Sequence, residues 1–117
     1  MKLRIKSNSI RYRLTRTDVK KLAENDFLEE KVNFGEQQLV YVIRLTDEAT
    51  LAASFKNNII TLFVPKTMIS ELENSDKVGF EKNSGALHLL VEKDFTCLDN
   101  VAEDQSDNYP NPLAEKI

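Results

Sequence analysis

The 117-residue sequence has no tryptophan, one histidine, one cysteine and three glycines. The lone Cys97 excludes an intramolecular disulfide and fits a reducing compartment. With His88 the sole histidine, paired-cysteine and histidine-rich zinc motifs are excluded. There is no glycine-rich phosphate loop and no serine-centred elbow. No apolar run approaches the roughly eighteen residues of a membrane span. The basic start leads into alternation rather than into a hydrophobic stretch and cleavage site, so no secretory signal is expected. The cytoplasm is the expected compartment, with no membrane partner and no cofactor.

What is present is charge, unevenly placed. Residues 1–21 carry eight bases and one acid, Asp18. Residues 22–91 carry eleven acids against six bases, and residues 92–117 seven against two. A basic opening therefore faces an acidic remainder, and a net charge of -3 makes nucleic acid an unfavoured partner.

Residues 3–46 set against 53–96 at a constant offset of 50 match at ten of forty-four positions, among them Lys6/Lys56, Asn8/Asn58, Ile10/Ile60, Leu22/Leu72 and Gly35/Gly85. The matches point to an internal duplication. Each unit reads strand, strand, helix, strand, strand. In the first, Leu3 and Ile5 alternate with charges, Ser7-Asn8-Ser9 supplies a turn, and Ile10, Tyr12 and Leu14 resume the alternation. Thr15 with Asp18 forms a capping box ahead of a helix whose buried stripe is Val19, Leu22 and Ala23. The second helix is expected to take Pro65 at its first position and to bury Met68, Ile69 and Leu72. Gly35 and Gly85 mark the later turns, where glycine serves a positive φ.

Residues 1–98 are read as one duplicated α+β domain and residues 99–117 as an acidic, proline-containing tail. The expected fold is an eight-stranded antiparallel barrel or strongly curved sheet with two short helices; a split two-sheet α+β fold is the alternative. The element order resembles the duplicated arrangement of the triphosphate-tunnel phosphohydrolases, a topological similarity only. The fragment LEEKVNF does not supply that family's acid-x-acid-x-lysine pattern, because Glu29 and Glu30 are adjacent and point to opposite faces.

A two-residue turn at Ser7-Asn8 or Asn8-Ser9 puts Leu3, Ile5, Ile10, Tyr12 and Leu14 on one face of the first hairpin and Lys2, Arg4, Lys6, Arg11 and Arg13 on the other. Only Lys56 answers these cations in the second unit. Like charges facing each other across a sheet repel, so solvent and acids from neighbouring segments are expected to offset them, with Glu29, Glu30, Glu92 and Asp94 the first candidates. Alternatively the guanidinium forks hold a phosphate or carboxylate. His88, Asp94, Cys97 and Asp99 do not make a metal site, because His88 and Asp94 stand about 20 Å apart along a straight strand. In the tail, Tyr109 with Pro110 and Pro112 is a candidate anchor carrying Asp104 and Asp107 toward the basic face.

The opening MKLRIKSNSIRYRLT, the segment VEKDFTCL and the closing YPNP resemble a family of short, functionally uncharacterised bacterial proteins found mainly in Bacteroidota. The resemblance implies a single-domain intracellular protein and singles out Asn8, Arg11, Arg13, Lys93, Asp94, Phe95 and Cys97 without giving them chemistry. A non-enzymatic binding or assembly module is the leading expectation. The alternative is a phosphorylated small-molecule binding protein, or a metal-dependent phosphohydrolase, working through the arginine-rich hairpin face. An anionic small molecule, a protein partner and a second copy joined through an edge strand are the partners considered.

Overall fold

The computed structural model describes residues 1–95 and 106–110. The alternation in the opening becomes strands β1 (Lys2–Lys6) and β2 (Ser9–Leu14), followed by helix α1 (Arg16–Asn25) and strands β3 (Phe27–Asn33) and β4 (Gln38–Thr46). The same order then recurs as β5 (Ala52–Lys56), β6 (Ile59–Pro65), α2 (Lys66–Asn74), β7 (Gly79–Ser84) and β8 (Leu87–Lys93).

Local chemistry explains the boundaries. The Thr15 hydroxyl accepts the Asp18 N–H while the Asp18 carboxylate accepts the Thr15 N–H, so the capping box closes both ways. Asp26 ends α1 in the left-handed region, its N–H donating to the Leu22 carbonyl at 2.9 Å. Pro65 caps α2 from outside rather than opening its first turn: with ψ 136° it is extended, and the helix starts at Lys66. Ala23 is exposed, unlike Val19 and Leu22, because it turns past the edge of the α1 stripe. Gly35 and Gly85 take φ values of 98° and 61°, as their turns require.

The strands form two four-stranded sheets, ordered β1-β2-β8-β7 and β3-β4-β6-β5. This corrects the expected barrel and all-antiparallel pairing. The outer pairs in each sheet are antiparallel, but the central pairs β2–β8 and β4–β6 are parallel. The cause is the helices: α1 carries the chain from the first sheet to the second, and α2 carries it back. Each half thus gives one hairpin to each sheet, and neither half closes a sheet alone. All four hairpin turns lie at one end and the helices at the other.

The correspondence between halves is not uniform. Ile10 pairs with Leu89, but Ile60 pairs with Tyr41, so β4 and β8 correspond at an offset of 48 rather than 50. Slippage by two residues keeps every side chain on its original face, which is why it leaves the hydrophobic alternation intact.

The inner faces of the sheets and the two helices share one core. Tyr12, Leu14, Leu22, Ile43, Leu62 and Leu89 are fully buried, with Val19, Ile69 and Leu72 closing the helix end. Each such side chain contributes about 1.5–3 kcal/mol on leaving water. Tyr12 also carries a polar tie between the sheets: its hydroxyl donates to the Ile60 carbonyl at 2.9 Å, and its ring meets Tyr41 edge-on at 6.3 Å. Burial pushes its hydroxyl pKa well above the ordinary tyrosine value.

Candidate functional site

The first hairpin adopts the register in which Lys2 faces Arg13, Arg4 faces Arg11 and Lys6 faces Ser9. Lys2, Arg4, Lys6, Arg11 and Arg13 therefore share the outer face of the first sheet, as the alternation predicts. The neighbouring strand β8 brings Glu92 beside Arg13. One oxygen, Oε1 of Glu92, serves both arginines: the Arg13 Nε donates to it at 3.3 Å and the Arg11 Nε lies 3.4 Å away. The Arg11 Nε is shielded from solvent, yet it makes no properly directed hydrogen bond among the described residues. Lys2 reaches Asp94 at 3.2 Å.

Two of the four expected counter-acids are thus in place. Glu29 and Glu30 belong to the other sheet, on β3, and Glu29 lies 3.7 Å from Lys31. Their sequence proximity to the basic hairpin misleads because α1 intervenes and changes sheets. Among the described residues, Arg4 and Lys6 pair with no carboxylate. Together with Arg11 and Ser9 they line a recess of about 240 Å³. That is smaller than the roughly 300 Å³ at which pockets for whole small molecules begin, and it suits a single anionic group. Three cations and a hydroxyl attract an anion and repel a divalent cation.

His88 stands beside Ser9 across the β2–β8 pair, on the outer face, and is paired with Glu81 of β7, Nε2 to Oε2 at 3.0 Å. Cys97 and Asp99 lie outside the described residues. Among the described residues, no three histidine, cysteine, aspartate or glutamate side chains gather to hold a metal ion, and no helix is long and apolar enough to cross a membrane.

The described part of the tail is anchored, but not on the arginine face. Tyr109 donates its N–H to the Asp94 carbonyl at 2.9 Å, and its ring meets Phe95 edge-on at 6.2 Å. The Lys93 ammonium sits 4.9 Å from the Tyr109 ring centroid and donates to the Ser75 carbonyl at 2.9 Å. Burial lowers the Lys93 pKa, against an opposing pull from Asp76. Asp107 goes to the start of α1, accepting from the Thr17 hydroxyl at 2.8 Å, while its backbone carbonyl accepts the Arg16 N–H. The hydroxyls of Thr15 and Thr17 hold its carboxyl below the usual carboxylate range. The helix N-terminus, with its unsatisfied N–H groups, competes successfully for the acid that the sequence reading sends to the arginines. Asp104 lies outside the described residues.

A second feature escapes the sequence reading. At the hairpin-tip end an apolar groove of about 480 Å³ opens between the sheets, lined in matching pairs by Ile5 and Phe55, Ile10 and Ile60, and Leu39 and Leu87. Ile5 is 58% exposed and Phe55 69%, although both point inward by strand parity. Alternation assigns a face but does not tell where along the strand the core stops.

Fold and surface together define a two-sheet α+β protein with a recurrent β-β-α-β-β order and a cation-lined recess on its first hairpin. The chain belongs to DUF7009, a family of unknown function, whose pattern matches residues 1–113. No curated protein and no solved structure matches it, so the topological similarity to triphosphate-tunnel proteins gains no support, and the two separate sheets depart from a closed tunnel.

Proposed function

We propose that this chain is a binding module that recognises a carboxylate- or phosphate-bearing partner on the outer face of β1 and β2. The observation that carries this reading is the recess itself: Arg4, Lys6 and Arg11 converge on it with Ser9, and the first two have no acid partner among the described residues. Arg4 directly opposes Arg11 across the hairpin, an arrangement that costs stability in the empty protein and is relieved by a bound anion. Arg11 is the anchored side of the recess, held with its neighbour Arg13 by Glu92, whereas Arg4 and Lys6 are free to close on a ligand. Lys2, held near Asp94, adds to the field at the other end of the hairpin. The donor set favours binding over metal-assisted phosphohydrolase chemistry, because a divalent cation would have to enter among three positive charges. The single cysteine and the resemblance of both chain ends to short bacterial proteins support a module working in the bacterial cytoplasm.

Thermal unfolding against polyphosphate, nucleotides, sugar phosphates, citrate and polyglutamate, with and without magnesium, tests this reading. A ligand at about 100 times its Kd adds about 2.7 kcal/mol of stability. The shift should shrink with added salt, should not need magnesium, and should vanish in the Arg4→Ala/Arg11→Ala double variant. No shift for any of these anions at near-millimolar concentration would overturn it.

A further inference from the structure

We infer that the open edge of β1 takes up an acidic, extended peptide as a fifth strand of the first sheet. The inference rests on the reading of the outer face as an anion site and names the partner's chemistry. β1 is an edge strand, with β2 on one side and no strand on the other among the described residues. In a hairpin with a two-residue turn, the flanking pair, here Lys6 and Ser9, exchanges both backbone hydrogen bonds. The alternation then turns the N–H and C=O groups of Leu3 and Ile5 away from β2, toward the open edge. These are the groups a strand-adding peptide pairs with.

Side-chain chemistry selects which peptide. On the outer face, Arg4 and Lys6 stand beside the open edge without acid partners among the described residues. On the inner face, Ile5 is 58% exposed at the mouth of the apolar groove. An added strand places its own residues alternately on the same two faces, with directly opposed Cβ atoms about 4.5–5.5 Å apart. A partner with acids at every second position and apolar residues between them satisfies both faces at once. Its acids meet Arg4 and Lys6, one of them entering the recess, and its apolar residues cover Ile5. A second copy is excluded at this edge, because antiparallel β1–β1 pairing sets cations against cations. The corresponding edge of the other sheet, β5, presents Ala52, Ser54 and Lys56 outward and lacks this selectivity.

The test titrates the full chain with short, end-capped peptides. One alternates glutamate and valine, one has the same composition with the alternation broken, and one alternates lysine and valine. Two more carry backbone N-methyl groups on the alternating peptide, either on the valine amides or on the glutamate amides. The alternating acidic peptide should bind at least about tenfold more tightly than the shuffled one, a difference of about 1.4 kcal/mol. The lysine peptide should not bind. N-methylation of the valine amides, which point at β1 in an antiparallel pair, should weaken binding about tenfold or more, while N-methylation of the glutamate amides is tolerated. Blocking by the opposite phase alone would still support strand addition, in the parallel sense. Arg4→Glu/Lys6→Glu should abolish binding, and Lys56→Glu should leave it unchanged. If shuffled and N-methylated peptides bind as well as the alternating one and Arg4→Glu/Lys6→Glu removes all binding, strand addition is overturned while the anion site stands. If no acidic peptide binds but polyphosphate does, strand addition is likewise overturned; if no anion binds at all, both readings fall. The peptide variants leave the protein unaltered, so these outcomes do not depend on whether a substituted chain folds.

Discussion

The hairpins β1–β2 and β5–β6 hold equivalent positions in the two sheets, and comparing them separates what the fold needs from what it does not. Their inner faces agree: Ile10 and Ile60, Tyr12 and Leu62, Leu14 and Val64 are apolar or aromatic, and four of these six are fully buried. Their tips agree as well. The Asn8 carbonyl accepts the His88 N–H, and the Asn58 carbonyl accepts the Val40 N–H, both at 3.0 Å, so each turn binds its hairpin to the neighbouring parallel strand. The outer faces diverge at every cation of the first hairpin except Lys6, which Lys56 matches. Lys2, Arg4, Arg11 and Arg13 stand where the second hairpin has Ala52, Ser54, Thr61 and Phe63. One outer face shows that the architecture does not require cations there, so the cations on the other call for a different explanation.

The equivalence of the buried sides is the part most open to a large measurable effect. Leu22 and Leu72 lie at matched positions on α1 and α2 and are 0% and 1% exposed. Truncation of either to alanine should cost about 2–5 kcal/mol, since transfer and cavity effects add. Urea unfolding of the two variants should give similar losses. A loss below about 1 kcal/mol for Leu72→Ala alone would show that the second half is not held by the shared core.

Tyr12 against Leu62 is the sharpest inner-face difference, and Tyr12→Phe isolates it. Removing the hydroxyl leaves the Ile60 carbonyl without that donor and should cost about 1–3 kcal/mol. The pH dependence has a definite sign. The folded pKa of Tyr12 is raised above the unfolded value of 10.0, so the tyrosine's contribution is complete below pH 10 and is lost as pH rises toward the folded value. Tyr41 and Tyr109, also raised by burial, act in the same direction. Lys93 acts oppositely: its folded pKa lies below 10.5, so its burial penalty eases as pH rises from the folded value toward 10.5. Three tyrosines oppose one lysine, and stability should fall above pH 10, less steeply in Tyr12→Phe. An identical alkaline slope in the variant would remove Tyr12 as a cause.

How far the sequence determines these features depends on whether they are local. The faces of the first hairpin and the Thr15–Asp18 capping box follow from neighbours within a few residues and are legible, whereas the choice of Ser7-Asn8 over Asn8-Ser9 for the turn is made by the pairing of Lys6 with Ser9. Which strand lies beside which is not, because parallel and antiparallel neighbours impose the same alternation. The barrel expectation failed at that step: nothing in the spacing of Leu39, Leu62 or Leu89 says that α1 changes sheets. The five cations were legible as one face. Their division into a part held by Glu92 and Asp94 and a part left open was not, since it depends on β8 arriving from about 80 positions along the chain. The exposed mouth formed by Ile5 and Phe55 was hidden for the same reason.

The smallest expected change in stability bears most directly on the contrast between the outer faces. Glu92 is the acid shared by Arg11 and Arg13, and all three side chains are partly exposed. Exposed ion pairs contribute about 0–1 kcal/mol, so Glu92→Gln should leave the unfolding midpoint nearly unchanged. Its effect on the recess should be larger than its effect on the fold. Two unit charges about 4 Å apart in water interact by about 1 kcal/mol, which sets the upper limit for what removing the Glu92 charge is worth to an incoming anion. Polyphosphate should therefore bind more tightly, by up to about fivefold, with the gain fading at high salt. If Glu92 instead serves mainly to hold the arginines in a shape that fits the ligand, the substitution weakens binding while stability again stays put. Unchanged affinity would mean that the anion does not feel the Glu92 charge, and the asymmetry between the two hairpins would then rest on Arg4, since Lys6 is matched by Lys56.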